Sequence, residues 1–378
     1  MKSYQNCIPE VVRYCATPVL VVVVCAALAG CPRANRNDEI VITITDESAG
    51  RGAGATTHED ILKAARSEGE LTWYTSMPQE QADALADMFQ EEYPFIRVRI
   101  VREGTFDIAR RVQDEVATGH TAADVIHVLD PGIFISLRKS GQLYRYEPRE
   151  SKAIPPAYKD PGYWTTARLV TVCIAVKTGA IPRDQLPTTW KELLDPVWHR
   201  QMALKDAQTG GSAYAQYYFL RDRYGVSYWE QFADQMPMIY KSEDHGLDAL
   251  IRGDVKIAAG VLGYKVYQYS QLQGEPVEAI WPTDGVPVCL GPVAILRTCP
   301  HPNTAKLFVE YILSREGQAA ITRLLGSYSM RPDVGAPEGR VELSELNLFA
   351  ARDGWQDYLE KQNALHREYG ALFSPGSE

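Results

Sequence analysis

The sequence predicts an α/β fold in two lobes, each a mostly parallel sheet flanked by helices. Three observations predict it. Short apolar strands alternate with amphipathic helices between residues 71 and 129, the same alternation resumes between 170 and 261, and 378 residues that are 45% apolar suffice for two filled cores.

The chain opens with a leader. Lys2 and Arg13 accompany an apolar run over 18–30, closed by Leu28-Ala29-Gly30-Cys31. The run over 19–30 is about half the ~20 apolar residues a membrane-crossing helix needs, so 1–30 reads as a cleaved signal peptide. Residues 31–57 are polar and Gly/Ala-rich towards their end, and read as a tether. Within it, Ile40-Val41-Ile42-Thr43-Ile44 is strand-prone, and a paired strand or a local apolar patch both remain open.

The folded body begins near residue 58 with a helix through Ile61, Leu62 and Ala65. A strand over 71–74 follows, then a helix over 79–92 carried by Ala82, Leu85, Ala86, Met88 and Phe89 and stopped by Pro94. A strand over 97–101, a helix over 106–118 and a strand over 124–129 complete an order that implies parallel pairing with right-handed crossovers. The second stretch reads as a strand over 170–176, a short helix over 190–194, a strand over 202–204, helices over 212–224 and 246–252, and a strand over 255–261. An apolar return over 286–296 leads to helices over 303–314, 316–325 and 355–369. Lobe limits fall at 58–167 for the first part of lobe 1, 168–285 for lobe 2, and 286–378 for the return to lobe 1 with the C-terminal helices. A repeat of about 20–50 residues is missing, which excludes a solenoid or propeller.

A formal net charge of −9 without a Lys/Arg run excludes a nucleic-acid surface but leaves room for a local anion pocket. Of seven cysteines, Cys7, Cys15 and Cys25 leave with the leader and Cys31 stands at the cut. Cys173, Cys289 and Cys299 remain, either as buried thiols or with Cys289 and Cys299 bridged. No nucleophile elbow, HExxH helix, Cys/His metal spacing or phosphate loop is present, so neither an enzyme nor a cofactor or resident metal is expected.

Leu28-Ala29-Gly30-Cys31 resembles the bacterial lipoprotein signal. The resemblance implies that Cys31 takes diacylglycerol on its thiol and an acyl chain such as palmitate on its freed amine. Several acyl chains hold a protein durably at a membrane, here in the periplasm or at the cell exterior.

Further blocks resemble the extracellular solute-binding proteins of ABC importers, in the branch of ferric-ion, phosphonate and sugar-phosphate binders. They are Gly69-Glu70-Leu71-Thr72-Trp73-Tyr74-Thr75-Ser76, Ala123-Asp124-Val125-Ile126, and Pro187-Thr188-Thr189-Trp190-Lys191-Glu192-Leu193-Leu194-Asp195-Pro196. Gly285-Val286-Pro287-Val288, Pro302-Asn303-Thr304-Ala305-Lys306-Leu307-Phe308-Val309 and Arg315-Glu316-Gly317-Gln318 follow in order. The resemblance implies a type II-like two-lobed binding-protein fold whose hinge closes on a solute. It also implies a monomer that delivers this solute to permease subunits driven by a separate ATPase.

Candidate ligand-binding residues sit where strands end and helices begin. Thr75 and Ser76 follow the first strand, as ligand donors, as a helix cap, or both. Thr209, Gly210, Gly211 and Ser212 form a glycine turn before a helix, equally an anion cradle or a plain cap. Asp130, past the third strand, is placed to accept from a ligand amine or hydroxyl. His127 reads as packed within its strand, and Asp244 and His245 as caps of the helix from 246. Trp73 and Tyr264 are candidate aromatic walls. Ferric-binding members place a His, an acid and adjacent tyrosines on the metal, whereas Pro78 stands near the expected His and Gly263-Tyr264-Lys265 near the tyrosine pair. Tyr264 and Lys265 therefore favour an anionic or zwitterionic solute, such as a phosphonate or a phosphorylated or carboxylated compound; a solvent-facing Lys265, or a register shift of one or two residues that brings in Tyr267 or Tyr269, stays open. Iron, held by Asp130 and Tyr264, is the alternative, and a ligand sensor for a membrane receptor is another.

Overall fold

A computed structural model describes residues 57–349 and 355–373. The signal peptide, Cys31 and the tether as far as residue 56, with its strand-prone run, lie outside the described residues.

Local chemistry sets the first elements. Helix α1 (His58–Glu68) starts at a reciprocal cap between Thr57 and Asp60 and ends on Gly69, whose φ of 69° a residue with a side chain rarely adopts. Strand β1 (Glu70–Thr75) is flanked by parallel β2 (Arg97–Arg102) and β3 (Val125–His127). Helix α2 (Gln79–Glu92) buries Ala82, Leu85, Ala86 and Phe89, and α3 (Thr105–Thr118) ends at left-handed Gly119. A further helix, α4 (Pro131–Lys139), was not expected from the sequence. Asp130 caps it and Pro131 opens it, so the residues that look like breakers are its start.

The short strand β4 (Lys159–Asp160) leads to the 14-residue β5 (Trp164–Lys177), which is the structural axis. Beyond it come β6 (Met202–Lys205), α5 (Gly211–Tyr224), α6 (Val226–Asp234), β7 (Met238–Tyr240), α7 (Glu243–Arg252), β8 (Ile257–Leu262), α8 (Gly263–Tyr267) and β9 (Val277–Ile280). The chain closes with β10 (Val288–Ile295), α9 (Pro302–Leu313), α10 (Arg315–Leu325) and α11 (Gln356–Phe373).

The first half of β5 pairs with β10, and the second half pairs with β8 and β9. The strand thus leaves one sheet, ordered β2-β1-β3-β10-β5, and enters another, ordered β7-β6-β8-β5-β9. In the first sheet β10 and the two-residue β4 run against the other strands, and in the second β5 alone does. The chain passes from one sheet to the other between Thr171 and Val172, within a strand buried along nearly its whole length. The return crossing lies alongside, with the Val172 amide donating to the Pro287 carbonyl at 2.8 Å.

On the first sheet, Trp73, Phe89, Phe308 and Ile321 fill the face under α1, α2, α9 and α10, while Ile108, Val112, Ile126 and Phe134 fill the other. Trp73 is thereby a core residue, with its ring 5.0 Å from that of Phe308, and not a ligand wall. On the second sheet, Leu247, Leu250, Ala258 and Val266 lie under α7 and α8. The opposite face is aromatic: Tyr214, Tyr217, Trp229, Phe232, Tyr358 and Tyr369 join α5, α6 and α11 in one cluster. Cys173, Cys289 and Cys299 are free thiols, so Cys289 and Cys299 are not bridged.

Candidate functional site

The carboxyl ends of β1 and β3 face the second lobe, and the start of α5 lands there. A Cβ built on Gly211 would sit against the carbonyl oxygen of Leu129 well inside contact distance, so only glycine permits this approach. The Cys289 thiol donates to that same carbonyl at 3.4 Å. Leu129 is thus the point where β3, β10 and α5 converge.

The expected site residues divide into those that the fold occupies and those left facing the junction. Thr75 is buried; its hydroxyl donates to the His127 carbonyl at 3.0 Å and accepts from the Met77 amide at 3.1 Å. Ser76 Oγ accepts from the Leu129 amide at 3.2 Å and is half-buried. Thr209 donates to the Asp206 carbonyl at 2.7 Å, holding the turn that leads to Gly210, the N-cap of α5. Ser212 donates to Glu243 at 2.9 Å, and Glu243 also receives Lys205 Nζ at 2.9 Å.

Lys265, expected to meet the ligand, pairs with Asp244 at 2.8 Å, a contact between α8 and α7 that no local pattern announces. Asp244 and His245 are not caps. Helix α7 begins earlier, and Ser242 Oγ accepts from the His245 amide.

Asp130 is fully buried, accepts from the Gly132 amide at 2.7 Å and from Gln362 Nε2 of α11 at 3.0 Å, and burial pushes its carboxyl up to about 7. Burial also opposes the charge on Glu243, but Lys205 and the Ser212 hydroxyl outweigh it and hold that carboxyl below its usual range. His127 is packed as expected, stacked on Trp73 with centroids 6.0 Å apart, and burial lowers its pKa well below the ordinary value. Tyr264 is buried, which raises its phenol, while Arg168 and Arg102 across the junction act in the opposite direction.

Arg168 on β5 was missed by sequence reasoning. It is 0% exposed, and among the described residues none of its three guanidinium nitrogens has a hydrogen-bond partner. Its stem lies over Gly291 beside Leu129: a Cβ on Gly291 would stand 2.8 Å from Arg168 Cγ and 3.1 Å from Leu129 Cδ2. A lone charge within Trp164-Thr165-Thr166-Ala167-Arg168-Leu169-Val170 was the available signal, because such a charge is buried only for a reason. Among the described residues, no group of three or more His, Cys, Asp or Glu side chains is placed to hold a metal ion.

The sequence profile of a family described as bacterial extracellular solute-binding protein matches residues 121–347, more than half of the chain. The chain belongs to that family. An uncharacterized protein of Haemophilus influenzae is 26% identical to this solute-binding protein over 273 residues, covering 68% of this chain and 77% of the relative. Iron-bound HitA from Pseudomonas aeruginosa superposes with a TM-score of 0.72 at 24% identity, covering 80% of this chain and 99% of that one. The periplasmic binding protein AfuA from Actinobacillus pleuropneumoniae, with exogenous fructose-6-phosphate bound, gives 0.72 at 21% identity over 82% and 99%. These structures share the fold. The junction around Leu129 lies just past the carboxyl end of β3, and strand ends of this kind are where ligands meet open α/β sheets in general.

Proposed function

We propose that this solute-binding protein captures a small anionic or zwitterionic solute between its lobes outside the cytoplasmic membrane and hands it to an ABC permease driven by a separate ATPase. The observation that carries the reading is the pair of adjacent strand crossings at Val172 and Pro287 below a junction where Gly211 meets Leu129. Two lobes joined in this way close on a ligand by hinge bending.

The similar structures carry either iron or a sugar phosphate. Charge favours the anion: Lys205 and Lys265 already neutralise Glu243 and Asp244, and Arg168 adds a buried positive charge that repels a trivalent cation. Thr75, Ser76, Asp130 and Thr209 frame the site through backbone contacts, while Gly210, Gly211 and Ser212 bring the α5 N-terminus to it and Tyr264 faces it from the second lobe. Lys265, paired with Asp244 at 2.8 Å, stands next to Tyr264 in the chain as a further candidate contact to the anion. We assign lipidation to Cys31, which tethers the lobes beside the importer.

Deleting the gene and measuring uptake of radiolabelled phosphonate, sugar phosphate and ferric ion in the source cells tests the reading. Loss of uptake of one anion is expected. Loss of ferric uptake alone contradicts the anion, and unchanged uptake of a solute that the purified protein binds moves the role to sensing. Cys31→Ser is expected to shift the protein from membrane to soluble fractions; a wild-type mature chain with the mass of an unmodified polypeptide would count against the anchor.

A further inference from the structure

Resting on that reading, we infer that Arg168 grips two oxygens of the cargo's anionic head, so that the cleft shuts only over an oxyanion. A guanidinium presents its donors as a flat fork that matches the paired oxygens of a carboxylate, phosphonate or phosphate. None of these donors is satisfied by a described residue. The acids of the junction are already engaged, Glu243 by Lys205 and Ser212, and Asp130 by the Gly132 amide and Gln362.

The consequence concerns closure as well as affinity. With Gly211 against Leu129, Arg168 is sealed from water; parting the lobes is expected to open its cleft side. Sealing an uncompensated charge opposes closure, and a ligand oxyanion removes that opposition. Neutral solutes of similar size lack the compensating charge. Glu243 and Asp244 are neutralised by Lys205 and Lys265, while Arg102, whose Nε donates to the Met77 carbonyl at 3.4 Å, adds positive charge, so an anionic head group fits the balance.

The full chain and its Arg168→Gln, Arg168→Lys and Arg168→Met variants, freed of bound solute, are to be titrated calorimetrically with inorganic phosphate, methylphosphonate, glucose 6-phosphate and acetate, with glucose and Fe³⁺ as controls. Small-angle scattering of the same samples reads closure. Wild type is expected to bind at least one oxyanion and contract. R168Q is expected to lose roughly a hundredfold in affinity, and R168K to fall between, since it keeps the charge but not the fork. The phosphorus acids against acetate distinguish which oxyanion head is taken. Without ligand, R168M is expected to melt no lower than wild type and to be the more contracted, which a purely structural arginine would not give. An oxyanion bound equally by wild type, R168Q and R168K overturns this assignment and leaves the transport reading intact. Binding of glucose or Fe³⁺ alone, or of nothing in the panel, overturns the anion reading itself.

Discussion

Gly211 rests against the carbonyl of Leu129, and this contact joins the first turn of α5 in one lobe to the end of β3 in the other. Gly211→Ala introduces a methyl group where the lobes meet. The expected result is a loss of about ten- to a hundredfold in ligand affinity, the size of an overpacking penalty. Unliganded stability is expected to stay within about 1 kcal/mol of wild type, because alanine suits the helix. Calorimetric titration with urea unfolding checks both; unchanged affinity would mean that the lobes do not close on this contact.

Asp130 gives the protein a pH dependence of definite sign. Its pKa is raised from near 4 to about 7 by burial, so between those values the folded chain holds a proton that the unfolded chain has released. Stability from this group is greatest below pH 4 and declines as pH rises to about 7. Asp130→Asn keeps the cap on α4 and removes the titration. The variant is expected to match wild type near pH 4 and to exceed it by up to about 4 kcal/mol at pH 8. Denaturant curves at both pH values check this, and a constant difference contradicts it.

The Lys205 and Glu243 pair has the opposite sign. Its side chains are 13% and 11% exposed, and the Glu243 carboxyl sits below its ordinary pKa. Its contribution is complete above the ordinary carboxylate range and is lost as pH falls through the lowered value. Glu243→Gln strands Lys205 and is expected to cost about 3 kcal/mol at pH 7, with the difference shrinking in acid. Urea unfolding of the variant at pH 7 and pH 3 measures it.

Helix α11 ties both lobes together. Gln362 donates to Asp130, the Tyr358 carbonyl accepts from the Tyr214 hydroxyl at 2.8 Å, and Glu368 pairs with Arg221 at 2.7 Å. Tyr358→Ala removes a fully buried ring packed 4.7 Å from Tyr214 and 4.9 Å from Tyr218. An expected loss of about 3–5 kcal/mol follows from the cavity, read from the shift in denaturation midpoint.

The fold was legible wherever one face of an element is buried. The stripe of α2 gives its bounds from sequence, and β1, β2, α3, α5, α9 and α10 fall within a residue or two of the periodic pattern. Where burial is two-sided, the pattern vanishes: β5 begins six residues before the expected 170, and its crossing point has no marker. Strands β7 and β9 are too short to show a pattern, whereas the nine-residue α6 does carry a stripe, with Tyr228, Trp229 and Phe232 buried. At the candidate site, the glycine turn was readable because glycine before a helix has a local cause. The Lys265 and Asp244 pair was not, since 21 residues separate its members. Arg168 is not marked by the pattern that places a strand over 170–176, because its charge falls outside that apolar run while the strand starts at Trp164.

Native mass spectrometry of the chain purified from its own cells, before any ligand is added, tests the central claim most directly. The account predicts a co-purifying small anion that is retained by wild type and absent from R168Q. A bound ferric ion, or an uncharged solute retained equally by both proteins, would contradict it.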